Sequence, residues 1–145
     1  MVTALILAAA LVASSAPEPA SNVSQTQTSD LLTDPIWKKL PPADELWKFY
    51  PERAARLGIS GFSVIICKVD ESGKLTKCKV FGEDPRNENF GLALAKVATL
   101  LMQVGDTSIG GEKTVGRAVK VGARFTAAKS IDPRAMKIEL VTVQQ

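Results

Sequence analysis

Residues 61–81 read GFSVIICKVDESGKLTKCKVF, and the fold follows from how they are parsed. Phe62 to Val69 is a run of β-branched and apolar residues, and Leu75 to Phe81 is a second extended run. Asp70-Glu71-Ser72-Gly73 between them is turn chemistry, with glycine supplying a positive φ. Two extended runs joined in this way are a β-hairpin. Cys67 and Cys78 sit on its two arms. With an even-length loop centred on Ser72-Gly73 they are direct cross-strand partners, about 4.5–5.5 Å apart at Cα, within the reach of a disulfide. A three-residue loop makes them diagonal instead, and the alternative is two small buried hydrophobes.

Upstream, Asp34-Pro35-Ile36-Trp37 begins the ordered region and Pro41-Pro42-Ala43-Asp44 marks a boundary. Tyr50-Pro51 restarts the chain, since proline suits the first helical position, where its missing N–H needs no partner. A helix over Pro51 to Leu57 is expected, with Glu52 at its positive end and Gly58 as its left-handed terminator. Downstream, Phe90, Leu94, Val97, Ala98 and Leu101 recur at helical spacing. Gly105 to Gly111 reads as a loop. Val119, Val121, Ala123 and Phe125 alternate with Lys120, Gly122 and Arg124, the pattern of a half-buried strand. Met136 to Val143 is a further strand candidate with poor alternation. The expected architecture is α+β. Two helices pack on one face of a three-stranded antiparallel sheet of order 2-1-3, with a right-handed crossover and an extra C-terminal strand as an option.

The ends of the chain read differently. Val2 to Ala13 is apolar and uncharged and leads into Ser14-Ser15-Ala16-Pro17. About a dozen apolar residues fall short of a core ~30 Å thick but fit a secretory signal, here residues 1–16. The alternatives are an uncleaved leader acting as an inner-membrane anchor, or a buried helix. The signal places the chain in an oxidising compartment, which favours the Cys67–Cys78 disulfide. Its short loop sets the stabilisation at the low end of ~2–4 kcal/mol. Residues 17–34 are rich in Ser, Thr, Gln, Asn and Pro and read as a flexible linker. Asn22-Val23-Ser24 matches a glycosylation sequon, relevant only in a eukaryotic secretory pathway. The domain is expected over 35–127, with 128–145 as a tail.

Composition excludes several chemistries. The chain has 145 residues, 46% hydrophobic and 23% charged, which is globular and sized for one domain. A net charge of +3 with dispersed basic residues argues against nucleic acid as partner. There is no histidine, which removes His-based triads, general bases and metal sites. Two cysteines alone cannot complete a four-ligand zinc site. No cofactor, no metal and no catalytic residue is expected.

In order and spacing, Tyr50-Pro51 with Ala54 or Ala55, Gly58, Gly61, Val69-Asp70-Glu71-Ser72-Gly73-Lys74-Leu75, the helix from Phe90 and Gly116-Arg117-Ala118-Val119 resemble the C-terminal domain of the TonB family. That family comprises periplasmic energy transducers of Gram-negative bacteria, and the resemblance runs from about Pro41 to Phe125. It implies a binding module rather than an enzyme, acting in the periplasm in connection with transport. A segment of an outer-membrane receptor would add to the last strand by β-augmentation. By position, Val119, Lys120, Val121, Gly122, Ala123, Arg124 and Phe125 would be the receiving edge, and Tyr50, Pro51, Gly58, Gly61 and Gly73 the family motif. The alternatives are a membrane-tethered transport accessory with an uncleaved leader, or an interaction domain whose edge is blocked by its own tail. The chain departs from the energy transducers in three ways. It lacks a histidine-bearing membrane helix, it lacks a long proline-rich spacer, and Met102 to Val115 lacks an aromatic-x-Pro-Ala pattern. These departures argue against force transmission by this chain alone.

Other candidates read as structural. Gly105 to Thr114 only echoes a phosphate loop, because Glu112 interrupts the required Gly-Lys. Glu83, Asp84 and Glu88 read as a solvated turn rather than acid–base groups, and they lack EF-hand spacing. Lys68, Lys74, Lys77 and Lys79 read as edge protection, with contact to acidic peptide or lipid headgroups as the alternative. Trp37, Trp47 and Tyr50 read as core anchors. If Ile65, Cys67 and Val69 face the helices, Phe62, Val64 and Ile66 face the other way and need a cover. The C-terminal tail is the expected cover.

Overall fold

The computed structural model describes residues 30–130, 132–141 and 143. The expected leader and most of the expected linker lie outside the described residues. The described chain runs β1 (Pro35–Lys39), a 3-10 turn (Leu46–Phe49), α1 (Glu52–Leu57), β2 (Gly61–Val69), β3 (Leu75–Asp84), α2 (Phe90–Leu101), β4 (Gln103–Ser108), β5 (Ala118–Thr126), a 3-10 turn (Pro133–Ala135) and β6 (Lys137–Val141). The main sheet is antiparallel in the order β3-β2-β5-β6, and β1 with β4 forms a separate antiparallel ribbon.

The expected three-strand order is present, but as part of a four-stranded sheet. Ile138 and Leu140 turn toward the core while Lys137 and Glu139 are exposed, so β6 does alternate. It is only five residues long, too short for a pattern that Met136, Val141 and Val143 blur. The segment read as the loop Gly105–Gly111 begins inside a strand. Its polar residues Asp106 and Thr107 are exposed, and β4 exists because Trp37 pairs with Val104 and Pro35 with Ser108. Two residues expected in the linker also belong to the fold. Leu31 makes a parallel bridge to Ala118, and Leu32 is 4% exposed within the core.

The hairpin is real but its turn is not even-length. Val69 pairs with Leu75 and Lys68 with Thr76, whereas Ile66 pairs with Lys79. The register shifts by one at Lys77, which has a positive φ of 49°. An odd loop alone would have left the cysteines diagonal; this bulge brings Cys78 back toward Cys67, and the disulfide forms between Cα atoms 4.0 Å apart. Asp70 organises the turn. Its carboxylate accepts hydrogen bonds from the Ser72 hydroxyl and from the Ser72 and Lys74 N–H groups. The Ser72 hydroxyl is the main cause that holds Asp70 below the ordinary carboxylate range. Gly73, with φ 80°, lies where a Cβ would run into the Val104 carbonyl.

The core lies between the sheet and α2, with Tyr50 and Ala54 on the same side. Ile65, Cys67, Val119, Ala123 and Phe125 project into it from β2 and β5, each no more than 1% exposed. Tyr50 meets Phe90 and Phe125 edge-on at 5.9 and 5.7 Å, and the two phenylalanine rings lie 4.7 Å apart. The Tyr50 hydroxyl donates to the Ile59 carbonyl at 2.7 Å. Pro51 caps α1 rather than opening it, its carbonyl accepting from Ala55 at 2.8 Å, and Gly58 ends the helix in the left-handed region. Gly61 admits the Phe90 ring, since a Cβ there would stand 2.6 Å from a ring carbon and 2.7 Å from the Asp84 carbonyl.

On the opposite sheet face Val64 is 8% exposed and Phe62 37%. Val141 of β6 and Val143 beyond it lie over Gly122, the direct neighbour of Val64. The tail thus covers this face in part.

Replacing Ile138 by Ala is expected to cost about 2 kcal/mol, the low end for a buried isoleucine because an edge strand can relax. Truncation after Lys129 is expected to cost more, and unchanged urea midpoints in both would contradict the packing of β6. Burial raises the Tyr50 phenol above its ordinary value of 10.0. Its contribution to stability is therefore full below about pH 10 and declines as pH rises through the folded value. Tyr50→Phe is expected to lose about 1 kcal/mol at neutral pH. Urea titrations of this variant at increasing pH should show a smaller alkaline decline than the parent.

Candidate functional site

β5 was expected to present a free border, and the structure places it inside the sheet. On one side Ala118–Phe125 pair with Lys68–Gly61 of β2. On the other, Gly122–Thr126 pair with Val141–Lys137 of β6. This corrects the expectation that Val119, Lys120, Val121, Gly122, Ala123, Arg124 and Phe125 are open to a partner. Four of these seven residues are already matched by the chain's own C-terminal strand. The physical reason is the position of Ile138 opposite Phe125, where it is 3% exposed and completes the core.

The remaining border is short. The Leu32 N–H donates to the Ala118 carbonyl at 2.8 Å, so the N-terminal segment occupies the start of β5. Between that bond and the first β6 pair at Gly122 lie Val119, Lys120 and Val121. Beside them is a groove of about 550 Å³. Lys120 and Val121 of β5 line it together with Leu31 and Trp37 from the N-terminal segment and Leu140 and Val143 from the C-terminal one. Gly122 keeps this end of β6 close, since a Cβ there would strike the Val143 side chain and stand 2.9 Å from Val141.

The family-motif positions lie away from this border and work on the core. Tyr50, Pro51 and Gly58 shape α1 and its exit, Gly61 admits Phe90, and Gly73 lets the hairpin turn approach β4, the Val104 N–H donating to the Gly73 carbonyl at 2.7 Å. The disulfide Cys67–Cys78 ties β2 to β3, so the sheet border opposite β6 cannot fray there. Neither Leu32 nor Ile138 was picked out from sequence as part of the site. Leu32 lies in a short Leu31-Leu32 pair within a polar stretch and Ile138 in a strand of only five residues, signals legible only once β5 is known to need covering.

The carboxylates of the Glu83–Glu88 stretch are structural. Glu83 accepts from the Asn87 and Gly91 N–H groups at 3.0 and 2.7 Å, capping α2 in place of an N-cap side chain. Glu88 is buried and paired with Arg53, which raises the Arg53 pKa through their hydrogen bond. Gly105 to Thr114 is not a phosphate cradle: β5 follows it rather than a helix, and the Thr114 hydroxyl donates inward to the Gly105 carbonyl at 2.6 Å. Tyr50 is buried and Trp37 half-buried against the core. Among the described residues no group of three or more His, Cys, Asp or Glu is placed to hold a metal ion, and no helix is long and apolar enough to cross a membrane.

A search of curated proteins gives no match. A family model does match, over residues 48–93, and is described as the Gram-negative bacterial TonB protein C-terminal. The matched stretch runs from just before Tyr50-Pro51 through both hairpin strands into α2 and stops before β5. Over that stretch, which holds α1 and the whole hairpin, the chain is similar to the TonB C-terminal domain family.

Proposed function

We propose that this chain is a non-catalytic protein-interaction domain of the periplasm, connected with outer-membrane transport. Its partner is an extended protein segment, such as an outer-membrane receptor offers, and that segment adds to β5 in the place β6 now holds. The observation that carries the reading is the pairing of Gly122–Thr126 with Lys137–Val141, an intramolecular strand lying where a partner strand would bind. An incoming chain would restore the same backbone hydrogen bonds, so the exchange leaves the ladder nearly neutral. What it gives up is the burial of Ile138, worth about 2 kcal/mol. A partner with a large apolar residue at that level of β5 recovers the loss. The five pairs holding β6 are fewer than the eight joining β2 to β5, which makes β6 the strand to leave. The apolar leader read from Val2 to Ala13 supports export. The second reading, in which β6 closes the border permanently, is favoured by the depth of Ile138.

The two readings separate on a reversible lock. Arg124 and Glu139 are direct cross-strand partners, so Arg124→Cys with Glu139→Cys can be oxidised to tie β6 in place. Outer-membrane protein capture should fall at least tenfold in the locked form and recover on mild reduction, with the parent chain unaffected by the same reductant. Equal capture by locked and reduced forms would rule out displacement of β6.

A further inference from the structure

The face of the sheet turned away from the helices carries a second pattern, made by side chains rather than by backbone. Phe81 is the extra residue where the β2–β3 register shifts, and it is 67% exposed. The Lys120 ammonium lies 5.1 Å from the centre of its ring. Lys120 opposes Ile66 of β2, and Ile66 opposes Lys79 of β3. Phe62, 37% exposed, lies opposite Arg124 on the same face. The Val64–Gly122 row, partly under Val141 and Val143, separates it from Ile66 and Lys120. Alternation puts Lys68 on the same face, where Asp30 pairs with it at 3.7 Å. Besides Asp30, the described acidic residues on this face are Asp84 beside Phe62 and Glu139 beside Arg124. The result is two exposed aromatic rings set among cations.

We propose that this face docks on a bilayer surface rich in anionic lipid, with Phe62 and Phe81 entering the interface and Lys79, Lys120 and Arg124 meeting the headgroups. Charge complementarity selects the occupant. A second copy of the chain would bring the same cations against themselves. The area argues against a stable protein partner. Four strands about 4.8 Å apart, paired over five to eight residues, give a face of at most roughly 400 Å², part of it under Val141 and Val143, which is no more than half of what one side of a stable protein interface needs. A lipid surface has no such requirement, since each cation near it adds about 1 kcal/mol, or roughly fivefold in affinity. Aromatic rings with long cationic stems suit the boundary between headgroup and acyl chain.

The test is co-sedimentation of the full chain with vesicles of phosphatidylcholine alone or with about 30% phosphatidylglycerol, comparing variants so that any contribution of the apolar leader cancels. Lys79→Gln with Arg124→Gln should weaken binding to the anionic vesicles by about 25-fold. Arg56→Gln with Lys96→Gln removes the same charge from exposed helix positions and should leave binding within about twofold of the parent. Phe81→Ala, which touches no net charge, should weaken it about tenfold. All five substituted positions are exposed, and unchanged thermal melting confirms folding. Equal losses in the two charge variants, no loss in the first, or binding that ignores phosphatidylglycerol would overturn the proposal. Capture of an acidic protein through this face without vesicle binding would overturn it as well. None of these readouts depends on β6 leaving β5.

Discussion

The meeting of Tyr50, Phe90 and Phe125 is the contact on which the rest of the structure depends. The three rings come from the segment before α1, the start of α2 and the end of β5, and they lie within 6 Å of one another. Edge-on aromatic contacts add to area burial through the ring quadrupoles. The Tyr50 hydroxyl then ties the chain to Ile59, which sets the point at which it enters β2. Gly61 sits beneath this cluster because no side chain fits between the backbone and the Phe90 ring. Helix, hairpin and last core strand are therefore positioned by one knot of side chains spread over 76 residues of sequence, Tyr50 to Phe125.

Much of this was legible in the residues. The hairpin, both helices, the strand at Val119–Phe125 and the β3-β2-β5 order follow from periodicity, turn chemistry and connection rules. The disulfide was legible as well, although the register behind it was not: the odd turn and the bulge at Lys77 compensate each other, and no local pattern announces a compensation. β4 was hidden for a different reason: it is short and polar and exists because β1 supplies hydrogen-bonding groups, so the signal sits in the partner strand. β6 was readable as a strand candidate within Met136 to Val143, but not its place beside β5, because five residues carry too little alternation to assign a neighbour. The expectation of a free border on β5 failed on one residue, Ile138, whose burial no spacing rule marks.

The site is thus defined by occupancy rather than by reactive groups. β5 holds one side of its ladder against a disulfide-braced hairpin and the other against a five-residue strand. Stability is unevenly divided between these sides, since the inner pairing is longer and carries more of the core. Elements that move in binding are drawn from the less stable end of a structure. The sheet face with Phe62 and Phe81 is separate in chemistry from that border, being a matter of side chains where the border is a matter of backbone.

Both ends of the described chain meet on one strand: the Leu31–Leu32 segment touches β5 at Ala118 and β6 finishes opposite Gly122. Four residues of extended chain separate these points, about 13 Å. A pull applied between the two ends would therefore act at a single seam, opening β6 like a zipper from its Val141 end, one rung after another. The helices and the crosslinked hairpin lie outside that line of tension, so the domain can yield at its rim while its centre stays folded.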